Sequence, residues 1–243
     1  MKILVCIKQV NGSGEMSRFD AHALEEALII KERHGVPGPV FVDVVTAGPA
    51  DAVKIIRRAF GMGADQGYHF VTKDTGYVSS FVTASRLAKV AEKTDYDLIL
   101  TGIMSQDMMD GQTGPMLARI MDFPCATGVV KTSPAAGLQT IEVEREMENS
   151  FRDCLEIRLP AVLTIQAGIN TPRYPRLSQM LAANRKKITS FMEQDLFPDP
   201  VPGQESCIRM EPPKKTRSGR VLEGSLSDKA EQLFFFLKEK NLI

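Results

Sequence analysis

The 243-residue sequence contains no tryptophan, three histidines and four cysteines. The cysteines, at Cys6, Cys125, Cys154 and Cys207, are far apart and form no Cys-x-x-Cys pair, and the histidines share no ligand spacing with them. This pattern is not typical of a zinc site or of a disulfide framework. It favours free thiols in a reducing cytoplasm, and we expect no metal ligands.

An excess of one charge and a long apolar run are also missing. Thirty lysines and arginines balance thirty aspartates and glutamates, so no overall field attracts nucleic acid or an anionic membrane. The apolar runs have the length of strands, as in Lys2–Ile7, and we expect no membrane span. Because the sequence opens on that strand, we also expect no secretory signal.

The first two-thirds of the sequence alternate apolar strand-like runs with amphipathic helical patterns. The predicted strands are Lys2–Ile7, Val40–Ala47, Gly67–Val71, Asp97–Thr101, Gln139–Arg145 and Ala161–Gln166. Strands joined by single helices imply right-handed crossovers, and therefore an α/β fold with a mainly parallel, doubly wound sheet and helices on both faces. Such a sheet binds ligands at the carboxyl ends of its strands, where the strand order reverses.

Four helices fall between these strands. We expect Asp20 to cap the first helix, which runs through about Arg33. The second begins at Pro49 and is expected to end at Gly61, while Thr113 is expected to cap the fourth. The third helix is marked only by its apolar periodicity.

The last fifty residues differ from the rest. Five prolines lie between Phe197 and Pro213, next to basic clusters, and an amphipathic pattern follows over Leu226–Leu237. We therefore predict two regions, an α/β domain over residues 1–190 and an extended arm over residues 191–243, whose apolar helix docks on a partner subunit.

The connection after the fourth strand, from Gly102 to Gly114, is the strongest candidate binding site. It is about twice as long as a typical strand-to-helix connection. It ends at a helix N-terminus, where free backbone N–H groups and the helix dipole favour a phosphate. Gln112 and Thr113 add side-chain donors, so we predict a nucleotide-binding loop here.

Two other glycine patterns are weaker candidates. Gly61-Met62-Gly63 follows a helix and indicates a helix end with a turn. Gly12-Ser13-Gly14 follows the first strand but lacks the third glycine of a dinucleotide fingerprint, so it is at most a loop that covers a ligand.

A series of short motifs then occurs in a fixed order along residues 1–190. They are Lys2–Val10, Arg18–Asp20, Ala23–Leu28, Thr46–Pro49, Met62–Asp65, Val143–Glu146, Leu159–Val162 and Asn170–Leu177. Together these motifs resemble those of the electron-transfer flavoprotein β subunit, and the resemblance weakens across the arm.

This resemblance implies one half of a heterodimer that shuttles electrons. The α subunit of such proteins holds most of a redox-active FAD, while the β subunit holds AMP in a structural role, or a second FAD in the electron-bifurcating branch. The implied role is to carry electrons from dehydrogenases to a quinone-linked or other acceptor oxidoreductase, with no catalytic centre in the β subunit itself.

The resemblance also implies which residues contact cofactors and partners. The implied cofactor-binding residues are Cys6, Ser17, Phe19, Asp20, Ala47, Gly102, Ser105, Gln106, Asp107, Gly111, Gln112 and Thr113. Phe19 corresponds to an aromatic residue near the partner's flavin, and Glu146 to a carboxylate that pairs with an arginine of the flavin domain. Leu177, in a recognition loop over residues 171–182, corresponds to a leucine that enters a dehydrogenase pocket; a core position is the alternative.

Several features leave other interpretations open. Met108 and Met109 stand where relatives often have small or acidic residues, which favours AMP over a second FAD. A nucleotide hydrolase or adenylyl-transferring enzyme of the same fold would need a metal carboxylate, for which Asp107 and Asp110 are the nearby candidates. A stand-alone AMP-sensing module is a third possibility, which the long arm argues against.

Overall fold

The computed structural model describes residues 1–33, 38–73, 76–135, 139–199 and 221–243, with Val201, Gly203, Glu205, Ile208, Arg209 and Gly219 between the last two ranges. The chain divides into two compact units, Met1–Ser206 and Cys207–Ile243. In the described part of the chain, no helix is both long and apolar enough to cross a membrane.

As far as β5, the first unit alternates strands and helices as the sequence pattern predicts. Its strands are β1 (Lys2–Cys6), β2 (Phe41–Gly48), β3 (Gln66–Val71), β4 (Leu98–Gly102), β5 (Cys125–Pro134), β6 (Thr140–Glu146), β7 (Arg152–Arg158), β8 (Ala161–Ile165) and β9 (Thr189–Met192). Its helices are α1 (Arg18–Glu32), α2 (Val53–Met62), α3 (Ser80–Ala91), α4 (Thr113–Met121), α5 (Leu177–Ala183) and α6 (Glu193–Leu196). The second unit contains α7 (Leu226–Glu239).

The nine strands of the described residues form one sheet, in the order β7-β6-β5-β8-β4-β1-β2-β3-β9. Every neighbouring pair is parallel except β5–β6 and β6–β7. The predicted mainly parallel α/β sheet is therefore confirmed. The chain builds outward from β1 through β2 to β3 and then returns to place β4 on the other side of β1, so the strand order reverses between β1 and β4.

The central strands are buried on both faces. In β1 the side chains of Ile3 and Val5 join the core under α1 and α2, whereas Leu4 and Cys6 join the core under α3 and α4. Burial on both faces explains why this strand is an uninterrupted apolar run rather than an alternating one. Helices therefore cover both faces of the sheet, as predicted.

Two predicted helix boundaries are wrong. Ser17, and not Asp20, occupies the N-cap position of α1. The second helix ends at Met62 rather than at Gly61, and its C-cap is Gly63, whose φ of 133° suits a glycine. A side chain at Gly61 would lie 2.4 Å from the sulfur of Met180, so this glycine allows close packing of α2 against α5.

A third predicted boundary is also corrected. Thr113 is the first residue of α4, and Gln112 takes the N-cap position without a side-chain cap. The first turn of α4 therefore keeps its backbone N–H groups directed beyond the helix end, where the cavity described below lies.

The sequence pattern missed β5, β7 and β9. Most side chains of β7 are exposed and β9 has four residues at the edge of the sheet, so neither carries the continuous apolar signal of a buried strand. Because β9 pairs with β3, the first unit continues past residue 190. The proline-rich part of the arm lies largely outside the described residues.

Candidate functional site

A cavity of about 190 Å³ lies where the strand order reverses, at the carboxyl ends of β1, β2 and β4. The first turns of α3 and α4 close its other side. Eight of the predicted cofactor-binding residues line this cavity. They are Cys6, Asp20, Ala47, Gly102, Ser105, Gly111, Gln112 and Thr113.

The other four predicted cofactor-binding residues are not part of the cavity lining. The Ser17 hydroxyl is buried and has no hydrogen-bond partner among the described residues. Phe19 is half-buried, with the Arg18 guanidinium 5.1 Å from the centre of its ring. Gln106 accepts a hydrogen bond from the backbone of Arg18, and Asp107 forms an ion pair, described below.

Helix α3 contributes side chains that the sequence reasoning missed. Ser80, Thr83, Arg86 and Leu87 all line the cavity. Ser80 and Arg86 are buried although they are polar. Buried polar residues at helical spacing are the signal that marks this second wall of the site.

The hydrogen-bond donors of the cavity that suit a phosphate group lie at the N-terminus of α4. Gly114 packs so closely that a Cβ there would lie 2.7 Å from the Thr101 hydroxyl and 2.6 Å from the Thr164 methyl group. Gly111 has a φ of 66°, which turns the chain into the helix. These two glycines bring the helix end onto the sheet edge and direct the first-turn N–H groups of α4 into the cavity.

Asp20 joins the ends of β1 and β4 across the reversal point. Its carboxylate accepts hydrogen bonds from the backbone of Lys8, at 2.7 Å, and of Gly102, at 3.0 Å. Burial raises the pKa of Asp20 to about 7, although both hydrogen bonds and the Lys8 charge oppose the shift. The carboxyl group is therefore a structural link between two strand ends that also forms part of the cavity wall.

The raised pKa of Asp20 predicts a pH dependence of stability. The native state binds this proton up to about pH 7, whereas an unfolded aspartate releases it near pH 4. The contribution of Asp20 to the free energy of unfolding is therefore expected to fall as the pH rises from about 4 to about 7. Urea unfolding of the wild type and of Asp20→Asn across this range measures the difference; equal slopes in both would contradict the prediction.

Lys8 and Asp107 connect the first strand to the long loop. The Lys8 ammonium lies 2.7 Å from Asp107 Oδ1, and the backbone N–H of Asn11 donates to Asp107 Oδ2 at 3.0 Å. Partial burial opposes the ionisation of Asp107, but hydrogen bonds from Lys8, Asn11 and Ser105 outweigh it and lower its pKa. Asp107 therefore carries a fixed negative charge beside the cavity.

A second feature lies outside the cavity, at the start of α5. Leu177 is 77% exposed and Tyr174 is 87% exposed, so the alternative of a core position for Leu177 is wrong. The segment before it is fixed to α1: the Arg173 guanidinium contacts Glu25 and Glu32, and Asn170 donates to Glu26. An exposed leucine is thus presented on a firmly anchored segment.

Glu146 lies at the same edge of the sheet as the cavity. It ends β6, which returns antiparallel to β5 so that the carboxylate comes level with the end of β8. Glu146 is exposed, and Gln166 donates a hydrogen bond to it at 3.0 Å. The carboxylate is therefore held in place while one side of it remains open.

Within the described residues, no group of three or more His, Cys, Asp or Glu side chains is arranged to hold a metal ion. The two carboxylates considered for such a role are otherwise engaged. Asp107 pairs with Lys8, and Asp110 accepts a hydrogen bond from the Ser80 hydroxyl.

Residues 4–196 match the family described as "Electron transfer flavoprotein domain". The electron transfer flavoprotein subunit beta of Bacillus subtilis is 31% identical over 91% of this chain and 85% of its own length, and that of Bos taurus is 34% identical over 85% and 79%. The Caffeyl-CoA reductase-Etf complex subunit CarD of Acetobacterium woodii is 29% identical over both full lengths.

Proposed function

This chain belongs to the electron transfer flavoprotein family as a β subunit, and on that premise we propose that it holds AMP in the cavity at the sheet edge. We further propose that it forms a heterodimer with an α subunit that holds most of a redox-active FAD. In this assembly the chain positions partners and carries no catalytic residues of its own, while electrons pass from dehydrogenases through the FAD to an acceptor oxidoreductase.

The donor set of the cavity supports a nucleotide. The N-terminus of α4, with Gln112 and Thr113, offers donors to one phosphate group. Val78 and Leu87 supply apolar surface on the opposite wall, which suits a purine ring. One cavity that combines a helix N-terminus with an apolar wall is the single observation that carries this proposal.

The lining of the cavity favours AMP over a second FAD. Met108 forms part of its wall, as expected if a bulky side chain limits the space. AMP is the smaller of the two candidate nucleotides.

The nucleotide content of the purified heterodimer tests this proposal. The chain is co-expressed with an α subunit, the yellow complex is purified, and its ligands are released by acid and quantified. We expect one FAD and one AMP per heterodimer. Two FAD and no AMP would contradict AMP binding, and the absence of a stable complex would contradict the role as a β subunit.

The arm is proposed to dock on the α subunit. In α7 the side chains of Leu226, Leu233, Phe234 and Phe235 are all substantially exposed, and burying them against another subunit would stabilise a complex. The co-expression is repeated with a chain that lacks residues 221–243, and the yield of heterodimer is compared with that of the full chain. An equal yield would argue against this docking.

Phe19 and Glu146 are proposed to face the flavin-bearing partner. Both lie at the carboxyl edge of the sheet, since Phe19 packs beside Gly102 and Glu146 comes level with the end of β8. The open carboxylate of Glu146 suits a charge-assisted hydrogen bond with an arginine of the α subunit.

We predict that Leu177→Ala weakens docking to the electron-donating dehydrogenase by about tenfold or more, because a buried anchor often contributes 2 kcal/mol or more to an interface. The free energy of unfolding should change by less than about 0.5 kcal/mol, since the side chain is exposed in the free protein. Ile120→Ala on α4, which is also exposed, is the control. Titration of the dehydrogenase by surface plasmon resonance measures both variants; unchanged affinity for Leu177→Ala would argue against the anchor.

A further inference from the structure

The positive side chains of the cavity wall are each paired with a carboxylate. In the part of the chain that the structure describes, these cations are Lys8 and Arg86. Lys8 lies 2.7 Å from Asp107, and Arg86 lies 3.0 Å from Glu193. The wall therefore offers little net positive charge from its side chains, although phosphate-binding sites commonly use lysine and arginine for this purpose.

The other charged side chains on the cavity wall add no positive charge to it. Asp110 lines the cavity and is hydrogen-bonded to Ser80. Asp20 also lines the cavity, where its buried carboxyl group accepts hydrogen bonds from the backbone of Lys8 and Gly102. The N-terminus of α4 is then the main positive feature, and its dipole and first-turn N–H groups provide for about one phosphate. Each further phosphate would bring negative charge, and the described residues of the wall include no unneutralised cation to meet it.

Asp107 is the carboxylate that neutralises the positive charge of Lys8. It does not line the cavity itself, so it acts on a ligand through its charge, which offsets that of Lys8, and not by direct contact. Donors from Lys8 and from the backbone of Asn11 fix both of its oxygens. The loop that carries the predicted nucleotide site therefore also carries a built-in counter-charge.

We propose that Asp107 sets the phosphate number of the site, by neutralising Lys8 so that the cavity selects nucleoside monophosphates over di- and triphosphates. This inference rests on the proposed nucleotide site and adds the residue that limits the number of phosphates the site accepts. It also changes the predicted role of Asp107, from a residue that contacts the cofactor to a positioning residue that acts through Lys8.

Isothermal titration of the heterodimer tests the proposal, after its nucleotide is removed in denaturant and the complex is refolded with FAD. AMP, ADP and ATP are titrated without magnesium. The wild type is expected to bind AMP at least about tenfold more tightly than ATP. In Asp107→Asn the ratio of the ATP and AMP dissociation constants should fall by about tenfold, because a nearby unit charge has been removed.

Lys8→Met is the matched variant, and it is expected to change the ratio of the ATP and AMP dissociation constants in the opposite direction. Removing the cation leaves Asp107 uncompensated, so the same ratio should rise by about tenfold at low salt and by less at high salt. General damage to the loop would weaken the binding of all three nucleotides equally and leave the ratio unchanged. The ratio therefore separates charge selection from a structural effect, and either variant alone suffices if the other does not fold.

The outcomes are distinct. Ratios that shift in opposite directions in the two variants support the inference. If AMP binds to the wild type but neither variant changes the ratio, the inference is overturned and the proposed AMP site stands. If the refolded complex binds none of the three nucleotides, the inference and the proposed AMP site are both overturned.

Discussion

Gly102→Ala is expected to lower the free energy of unfolding by about 2–3 kcal/mol and to reduce the AMP content of the purified protein strongly. A Cβ at this position would lie 2.5 Å from Asp20 Oδ1, 2.6 Å from Phe19 Cβ and 2.9 Å from the carbonyl carbon of Phe19. The backbone of α1 is among these neighbours, so the added methyl group cannot be accommodated by rotating one flexible side chain. The strand end must move away from α1 instead.

The same movement reaches the cavity. Gly102 donates its N–H to Asp20 and lines the cavity, so displacing it separates the ends of β1 and β4 where the nucleotide is proposed to bind. Gly76→Ala is the matched control: Gly76 also lines the cavity, but a Cβ there would meet nothing within 4 Å. Urea unfolding and acid-released AMP measure both variants, and a wild-type midpoint for Gly102→Ala would refute the steric argument.

Arg173→Ala is expected to lower the free energy of unfolding by about 3 kcal/mol. Breaking a buried ion pair typically costs about 3–5 kcal/mol because one charge is left unpaired, and the partial exposure of Arg173 places this case at the lower end. The carboxylate left behind is that of Glu25, whose side chain is 6% exposed and which Arg173 contacts at 2.8 Å.

Two variants control for this cost. Glu32 also contacts Arg173, but its side chain is 58% exposed, so Glu32→Gln should change the free energy of unfolding by less than about 1 kcal/mol. Arg173→Lys keeps the charge but cannot contact two carboxylates in the same planar geometry, and an intermediate loss is expected. Thermal and urea unfolding report all three, and equal effects of Arg173→Ala and Glu32→Gln would show that the buried pair is not decisive.

Arg173 also connects stability to the proposed docking. Its contacts with Glu25 and Glu32 fix the segment before α5 to the second half of α1, while Leu177 itself stays untouched in the variant. Hydrogen exchange of the α5 amides should therefore quicken in Arg173→Ala. Affinity for the dehydrogenase should fall as well, because a loosened anchor must be ordered again on binding.

The sequence alone was sufficient for the fold class, and the physical reason lies in particular elements. A parallel strand covered on both faces must be apolar throughout, as β1 is, and this signal survives without any tertiary information. β7 and β9 lie at the edges of the sheet and expose much of their surface, so their sequences carry no comparable signal. Register and strand order came only from the structure.

The binding loop was predictable for a similar reason. Its length, its glycines and its position before a helix are local properties of residues 102–114, and eight of the predicted cofactor-binding residues do line one cavity. The contribution of α3 was missed because a polar residue on a helix shows its direction only when the neighbouring elements are in place.

What the sequence determined by itself was therefore the alternation of strands and helices, the loop over residues 102–114 and the family of the chain. These depend on local periodicity and on short motifs. Only the tertiary structure decided the partners of each charge: it paired Asp107 with Lys8 and Arg173 with Glu25, and it exposed Leu177. Such pairings join residues about 100 or more positions apart, and no local pattern encodes them, because they arise when the sheet brings distant strand ends and loops to one edge.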